Sequence, residues 1–364
     1  MLSPDKKLKP EHIDNDVDLL INLAYGAGLF DRSKVRGRGA WMDDGRNVLH
    51  CGPHLYVDGV KTEISDFKSN YIYSLAFDVG VKLVDPASNS EANELVKICE
   101  SLTWESSLSA PLLAGFCVIA PLCGMLNWRP HVWVTGPSGS GKTTVIKQIV
   151  EVLMRDIGLR FEGGTTEPGI RQDLGADARP VIIDEAETES ESEQKKMVEI
   201  LRFARISSTG GRISKGSTTG KAMKYIARSS FFFSSINTSI KETADESRIT
   251  KLVMKKDVVK PAEYWEELNM KIITTITPEY ANKMLSRSIQ HMDVLQKNIE
   301  VFKRAASQVF RNARIADQVG TLLAGTYLCY SSKAIDLEAA IEWIKESRRY
   351  WQSQPFCCLQ LRTL

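Results

Sequence analysis

Eight residues constrain this chain more than any other stretch: GPSGSGKT, Gly136 to Thr143. They fit the pattern GxxxxGK[ST] at every fixed position, after an apolar run (HVWVT, 131–135) that reads as a buried strand and before a helical run from Thr143 to Met154. Glycines let such a loop curl until its N–H groups face a phosphate, aided by the positive end of the following helix. Gly136, Pro137, Ser138, Gly139, Ser140, Gly141, Lys142, Thr143 and Thr144 are therefore expected to hold a nucleotide. Lys142 would reach the β- and γ-phosphates and the Thr143 hydroxyl would ligate Mg²⁺. The expected cofactors are ATP and Mg²⁺.

A phosphate loop alone does not separate a kinase from an ATPase, so the next acidic motif matters. VIIDEAE (Val181 to Glu187) ends a buried strand in Asp184, 42 residues past Lys142, with Glu185 following at 43. Asp184 is expected to hold Mg²⁺ through water, and Glu185 to polarise the attacking water as general base. Glu187, Glu189, Glu191 and Glu193 read as a solvated acidic run. FFFSSIN (231–237) is a further buried strand with a polar end. Beside the first two strands it would bring Asn237 or Ser235 toward the γ-phosphate to orient water; the plainer alternative is a core strand with an incidental Asn. Arg248 stands just before a last apolar strand, Thr250 to Met254. It either pairs with Asp245 or Glu246, or reaches a neighbouring subunit's γ-phosphate in a ring.

Between the acidic strand and the polar-ended strand, Arg202 to Arg228 carries seven basic residues and no Asp or Glu. The whole chain has 47 Lys plus Arg against 45 Asp plus Glu, so this bias is local, and a basic nucleic-acid binder of the whole-chain kind is excluded. Gly210 and Gly211 close a helix over Met197 to Ser208. GRISKG and GKAMKYIA then read as two strands of a hairpin tipped with Gly, Ser, Thr and Lys. Arg212, Lys215, Lys221 and Lys224 are the expected nucleic-acid contacts, through phosphates rather than bases, so binding would depend on salt and little on sequence. The alternative is a solvated hairpin whose charges keep it soluble.

The remaining sequence supplies the frame. Apolar strands alternating with helices from Trp128 onward predict an α/β fold with a mostly parallel sheet covered on both faces. Residues 11–30 read as an amphipathic helix, followed by a Gly/Arg-rich turn containing RGRGAW that is expected to be solvent-exposed. Short alternating segments (NVLHCG, HLYVDG, VKTEI) predict a small antiparallel element. Pro86 to Ser90 reads as a linker, and 91–126 as two helices, the second buried. The expected division is 1–90 as an α+β accessory region, 91–258 as the ATPase core and 259–364 as a helical C-terminal region. His50, Cys51 and His54 lie close together but read as a turn with buried side chains rather than a metal site. Seven irregularly spaced Cys, no signal core and no apolar run of membrane-spanning length point to reduced thiols in the cytoplasm.

The order of these parts resembles the AAA+ ATPases, and within them the superfamily 3 and phage primase-helicase type. GPSGSGKTT, TTEPGIRQDLGADARPVIIDEAE, SKGSTTGKA and ADQVGTLLAG look like the helicase-like portion of phage and prophage primase-helicases, best over about 128–330 and weakly at RGRGAW and LHCGPHLYVDG. The resemblance implies an AAA+ type three-layer P-loop core with an inserted β-hairpin and a helical C-terminal lid. It implies ATP-driven movement on single-stranded or forked DNA by a homo-oligomeric ring, a hexamer, in a bacterial cell. It also implies a lid arginine on the nucleotide, for which Arg314 in NARIADQ is the candidate. Glu167 and Arg171, in TTEPGIRQ, follow a second core strand read at RFEGGT (160–165); contact with ATP or a neighbour and plain capping and ion pairing stand equally open. No zinc-binding Cys set or polymerase metal cluster accompanies these motifs, so a primase would be another chain or segment. The apolar QPFCCLQLRTL at the end suggests a longer protein.

Two other readings compete. An ATP-switched loader or scaffold on DNA needs the same site without unwinding. A small-molecule kinase fits the phosphate loop but leaves Glu185, the basic hairpin and Arg248 without work.

Overall fold

The structure, a computed structural model, describes residues 10–27, 30–186, 190–215, 223–237, 248–257, 259–310 and 312–352. At its centre are five strands: β1 (His131–Thr135), β2 (Leu159–Phe161), β3 (Val181–Ile183), β4 (Phe231–Ser235) and β5 (Ile249–Val253). They form one sheet in the order β5-β1-β4-β3-β2, and every pairing is parallel. Parallel strands are joined by crossovers that cover both faces, which is why these segments are apolar throughout rather than alternating. Alternate side chains then serve two cores. Trp133, Ile183, Phe231 and Phe233 pack with Met197, Ile200 and Phe203 of the helix Glu191–Ser207. Val132, Val134, Ile182, Phe232 and Leu252 join a larger cluster with the buried helix Ser109–Ile119. The expected α/β class with a covered parallel sheet is the observed one.

The second cluster continues into the helices that follow β5. Helix Ala313–Tyr330 lies against Ser109–Ile119 so closely that a Cβ on Gly115 would stand 2.0 Å from the Leu322 carbonyl oxygen. Apolar residues at helical spacing from Leu285 to Phe310 fall on two helices, Pro278–Gln290 and Met292–Phe310, divided at His291. Pro86 to Ser90 is not a linker. Ser88 caps helix Asn89–Ser101 in a capping box with Glu91, and the buried Arg287 donates to the carbonyls of Ala87 (2.7 Å) and Leu328 (2.9 Å). A turn that looked free is thus tied to the C-terminal helices.

The predicted antiparallel element is a four-stranded meander, Gly39–Asp43, Arg46–His50, His54–Val57 and Val60–Glu63. Two of its turns are Asp-Gly pairs with positive φ at both residues, the hairpin chemistry that matches strand twist. RGRGAW, expected as an exposed turn, is buried instead. Gly39 (φ 121°) bridges to Ala178, Arg38 forms a 2.8 Å ion pair with Asp177, and Arg36 donates to Tyr73. The motif seams the meander to the segment just before β3. His50 and Cys51 are buried and His54 is half-buried, as the plain reading required. Helix Pro10–Ala27 stands apart, with every side chain from Asn15 to Gly26 exposed. No helix among the described residues is long and apolar enough to cross a membrane.

His131, at the start of β1, is fully buried; Phe231 N–H donates to its Nδ1 (3.0 Å), so Nε2–H donates to the Ala204 carbonyl (2.7 Å). Burial pushes its pKa from 6.5 down to about 3. The unfolded chain therefore takes up a proton that the folded chain refuses, and stability present above pH 6.5 is lost as pH falls toward 3. The slope from this residue is up to about 1.4 kcal/mol per pH unit. Denaturant unfolding at pH 7 to 5 is expected to show a shallower pH dependence in His131→Gln than in the wild type. Equal slopes would contradict the assignment.

Candidate functional site: a phosphate-loop cleft and a basic hairpin

Register decides where the polar residues fall. Thr135 is level with Ser235, and Ile183 with Phe233 and Phe161, so four strands end together at one edge of the sheet. That carboxyl edge is where parallel sheets bind ligands. The segments leaving it line one cleft of about 940 Å³: Ser138, Gly139 and Gly141–Thr143 after β1, Gly163 and Gly164 after β2, Asp184 and Glu185 after β3, and Ser234, Ser235 and Ile236 at the end of β4. Because β4 lies between β1 and β3, the polar-ended strand separates the phosphate loop from the acidic motif.

Within the loop, two glycines carry the shape. A Cβ on Gly136 would meet the Met254 carbonyl oxygen at 2.6 Å, and Gly141, which caps the following helix, has φ 94°. The Lys142 ammonium folds over the loop, donating to the carbonyls of Gly136 (2.6 Å) and Pro137 (3.1 Å). Pro137, Ser138 and Thr143 are exposed, Thr144 is half-buried, and the buried Ser140 hydroxyl has no hydrogen-bond partner among the described residues. The helical run from Lys142 to Met154 widens to π geometry over Val145–Val150.

The acidic pair is held under strain. Glu185 is one of four non-glycine residues with positive φ among the described residues (52°), a conformation that persists only when the surroundings impose it. They do so on both sides. Asp184 N–H donates to Phe161 O (3.0 Å) and Ala186 N–H to Ser234 O (2.8 Å), clamping the pair between β2 and β4. Asp184 Oδ1 accepts from Glu185 N–H at 2.9 Å. Gly163 allows this: its Cβ would lie 2.9 Å from the Glu185 carbonyl oxygen.

The polar end of β4 is ordered by side chains below it. Trp133 Nε1–H donates to Ser235 Oγ (2.7 Å), which donates to Asn237 O (2.5 Å), while Thr135 donates to Ile236 O (2.6 Å). Asn237 itself is exposed and lines an adjoining open cleft with Gly136, Pro137 and Lys251. It stands beside the phosphate loop, whereas Ser234 and Ser235 face the main cleft.

Two expected nucleotide contacts are not with the others. Arg248 precedes Ile249, which is level with His131 at the opposite end of β1. Four residue steps of ~3.3 Å put that end about 13 Å from Thr135. Arg314 is likewise apart from them. It is exposed at the start of helix Ala313–Tyr330, one turn before Gln318, which donates to His131 O (2.6 Å) and Thr250 Oγ1 (3.1 Å). Packing on the far end of β1 keeps Arg314 out of the cleft of its own chain.

The hairpin is present as Arg212–Lys215 paired antiparallel with Met223–Ile226. Its register puts positions 212 and 224 on one face and 215 on the other, so the basic positions are not one stripe. Arg212 is exposed; Lys221 lies outside the described residues. At the base, Arg228 stands over Trp41 of the RGRGAW segment, 5.5 Å from its ring centre. Glu167 and Arg171, both buried, form a 3.0 Å ion pair in helix Glu167–Leu174, capped by Thr166.

Sequence reasoning missed Gly163, Gly164 and Ser234 as cleft walls, and it read Glu193 as one of a solvated run. Glu193 lines the cleft and closes a capping box with Ser190 on helix Glu191–Ser207. The pattern Ser-x-x-Glu at 190–193 was the available signal. Glu187 and Glu189 lie outside the described residues.

No protein-family profile and no curated protein sequence matches the chain. Among solved structures it is similar to the SCCmec type IV Cch active helicase, at 11% identity and TM-score 0.45, over 93% of this chain and 64% of that one. The chain thus spans less than two thirds of that protein's length. It is also similar to two apo structures of the NrS-1 C-terminal region, at 11% identity and TM-scores of 0.34 and 0.36, each over 85% of this chain and 90% of that one.

Proposed function

We propose that this chain hydrolyses ATP to move along DNA, as a helicase or translocase that acts in an oligomeric ring. The observation that carries this reading is the convergence of the phosphate loop, Asp184 and the strained Glu185 on one cleft. The cleft fits the cofactors. A hydroxyl (Thr143) and a carboxylate (Asp184) are the hard oxygen donors that Mg²⁺ takes, and the curled loop offers N–H groups to phosphate. ATP and Mg²⁺, when bound, supply a polarised γ-phosphoryl group.

The chain's own residues do the rest. Lys142 swings from its two loop carbonyls to the phosphate oxygens, which offer it the stronger, charged partner. Glu185 takes the proton of the attacking water, and Asn237 or Ser235 holds that water in line. In our reading Arg248, at the other end of the sheet, serves a neighbouring subunit rather than its own chain, within an oligomer that we take to be a hexamer.

The hairpin supplies the grip on the strand. Neutralising two phosphate-contacting lysines, in Lys215→Ala/Lys221→Ala, is expected to lower the salt slope of single-stranded DNA binding by about 1.4, at ~0.7 per charge. Binding measured over a salt series checks this; an unchanged slope would remove the hairpin from the DNA path.

A further inference from the structure

Among the described residues, the hairpin meets the ATPase core through Ile213, which packs against the cluster under the sheet, and through the aromatic ring of Tyr225. Tyr225, level with Ile213 in the ribbon, lies with its ring centre 4.3 Å from the guanidinium carbon of Arg171. Arg171 is only 6% exposed and is steered by its Nε–H bond to Glu167 Oε1 (3.0 Å). Its helix starts at Thr166, two residues after Gly164. Gly163 and Gly164 line the cleft, and Gly163 is the residue pressed against the Glu185 backbone. A short, stiff path therefore runs from the strained carboxylate through the glycine wall and one capped helix to the hairpin. A further contact at the base of the hairpin, Arg228 over Trp41, leads to the N-terminal meander instead.

We infer that Arg171 is a positioning residue that couples the state of the nucleotide cleft to the angle of the basic hairpin through the face of Tyr225. This rests on the motor reading above and specifies how its site would be regulated. A guanidinium on a ring face is directional enough to carry a tilt of the helix into the ribbon, yet it can slide without breaking a hydrogen bond. The flat ring is what carries this coupling.

The test compares basal and single-stranded-DNA-stimulated ATP hydrolysis of the full chain with those of Tyr225→Leu and Tyr225→Phe. Tyr225→Leu is expected to lower the stimulation ratio at least fivefold while basal kcat and KM for ATP stay within twofold of wild type. Tyr225→Phe, which keeps the ring, is expected to retain the wild-type ratio. Full stimulation in Tyr225→Leu, or equal loss in Tyr225→Phe, would overturn the link while leaving the motor reading intact. A wild type indifferent to DNA would overturn the motor reading and the link together.

Discussion

Glu185→Gln is expected to slow ATP hydrolysis by about 10²–10⁴-fold, the usual worth of a positioned general base, while ATP still binds. Glutamine keeps the shape of glutamate, and the backbone clamps from Phe161 and Ser234 hold position 185 whatever its side chain. Only the capacity to take a proton is lost. Steady-state hydrolysis alongside equilibrium binding of a non-hydrolysable ATP analogue separates the two. A variant slowed less than tenfold would assign the base to another residue.

Lys142→Ala is expected to act one step earlier, on binding. A charge-assisted hydrogen bond is worth about 1.5–3 kcal/mol, which corresponds to a ~10–100-fold loss of nucleotide affinity. Its ammonium already sits over the loop, bonded to two loop carbonyls, so the substitution empties the position without disturbing a buried core. Titration of a fluorescent ATP analogue measures the change. Unaltered affinity would mean that the loop does not hold phosphate.

What was legible in the sequence is what depends on near neighbours along the chain. GPSGSGKT, the acidic strand end and the hairpin are local patterns, and the chemistry expected of them follows from adjacent residues. Long-range placement was not legible. Nothing in FFFSSIN says that it lies between HVWVT and VIID; that follows from pairings across a hundred and across fifty residues. RGRGAW was misread because glycine and arginine together resemble a solvated turn, whereas Gly39 is needed for close approach to Ala178 and Arg38 for its bond to Asp177. Arg314 was assigned by resemblance, and the pull of Gln318 on His131 placed it elsewhere. The Arg171–Tyr225 contact joins segments more than fifty residues apart and had no local signature.

A motor on DNA requires hydrolysis that answers to DNA. The most direct measurement is the Mg²⁺-dependent ATPase rate of the wild-type chain with and without single-stranded DNA, at fixed salt. A rate that rises with DNA, and loses that rise in Lys215→Ala/Lys221→Ala while the basal rate persists, is the predicted result. A rate that hydrolyses ATP equally well with and without DNA would contradict the motor and favour an ATP-driven switch.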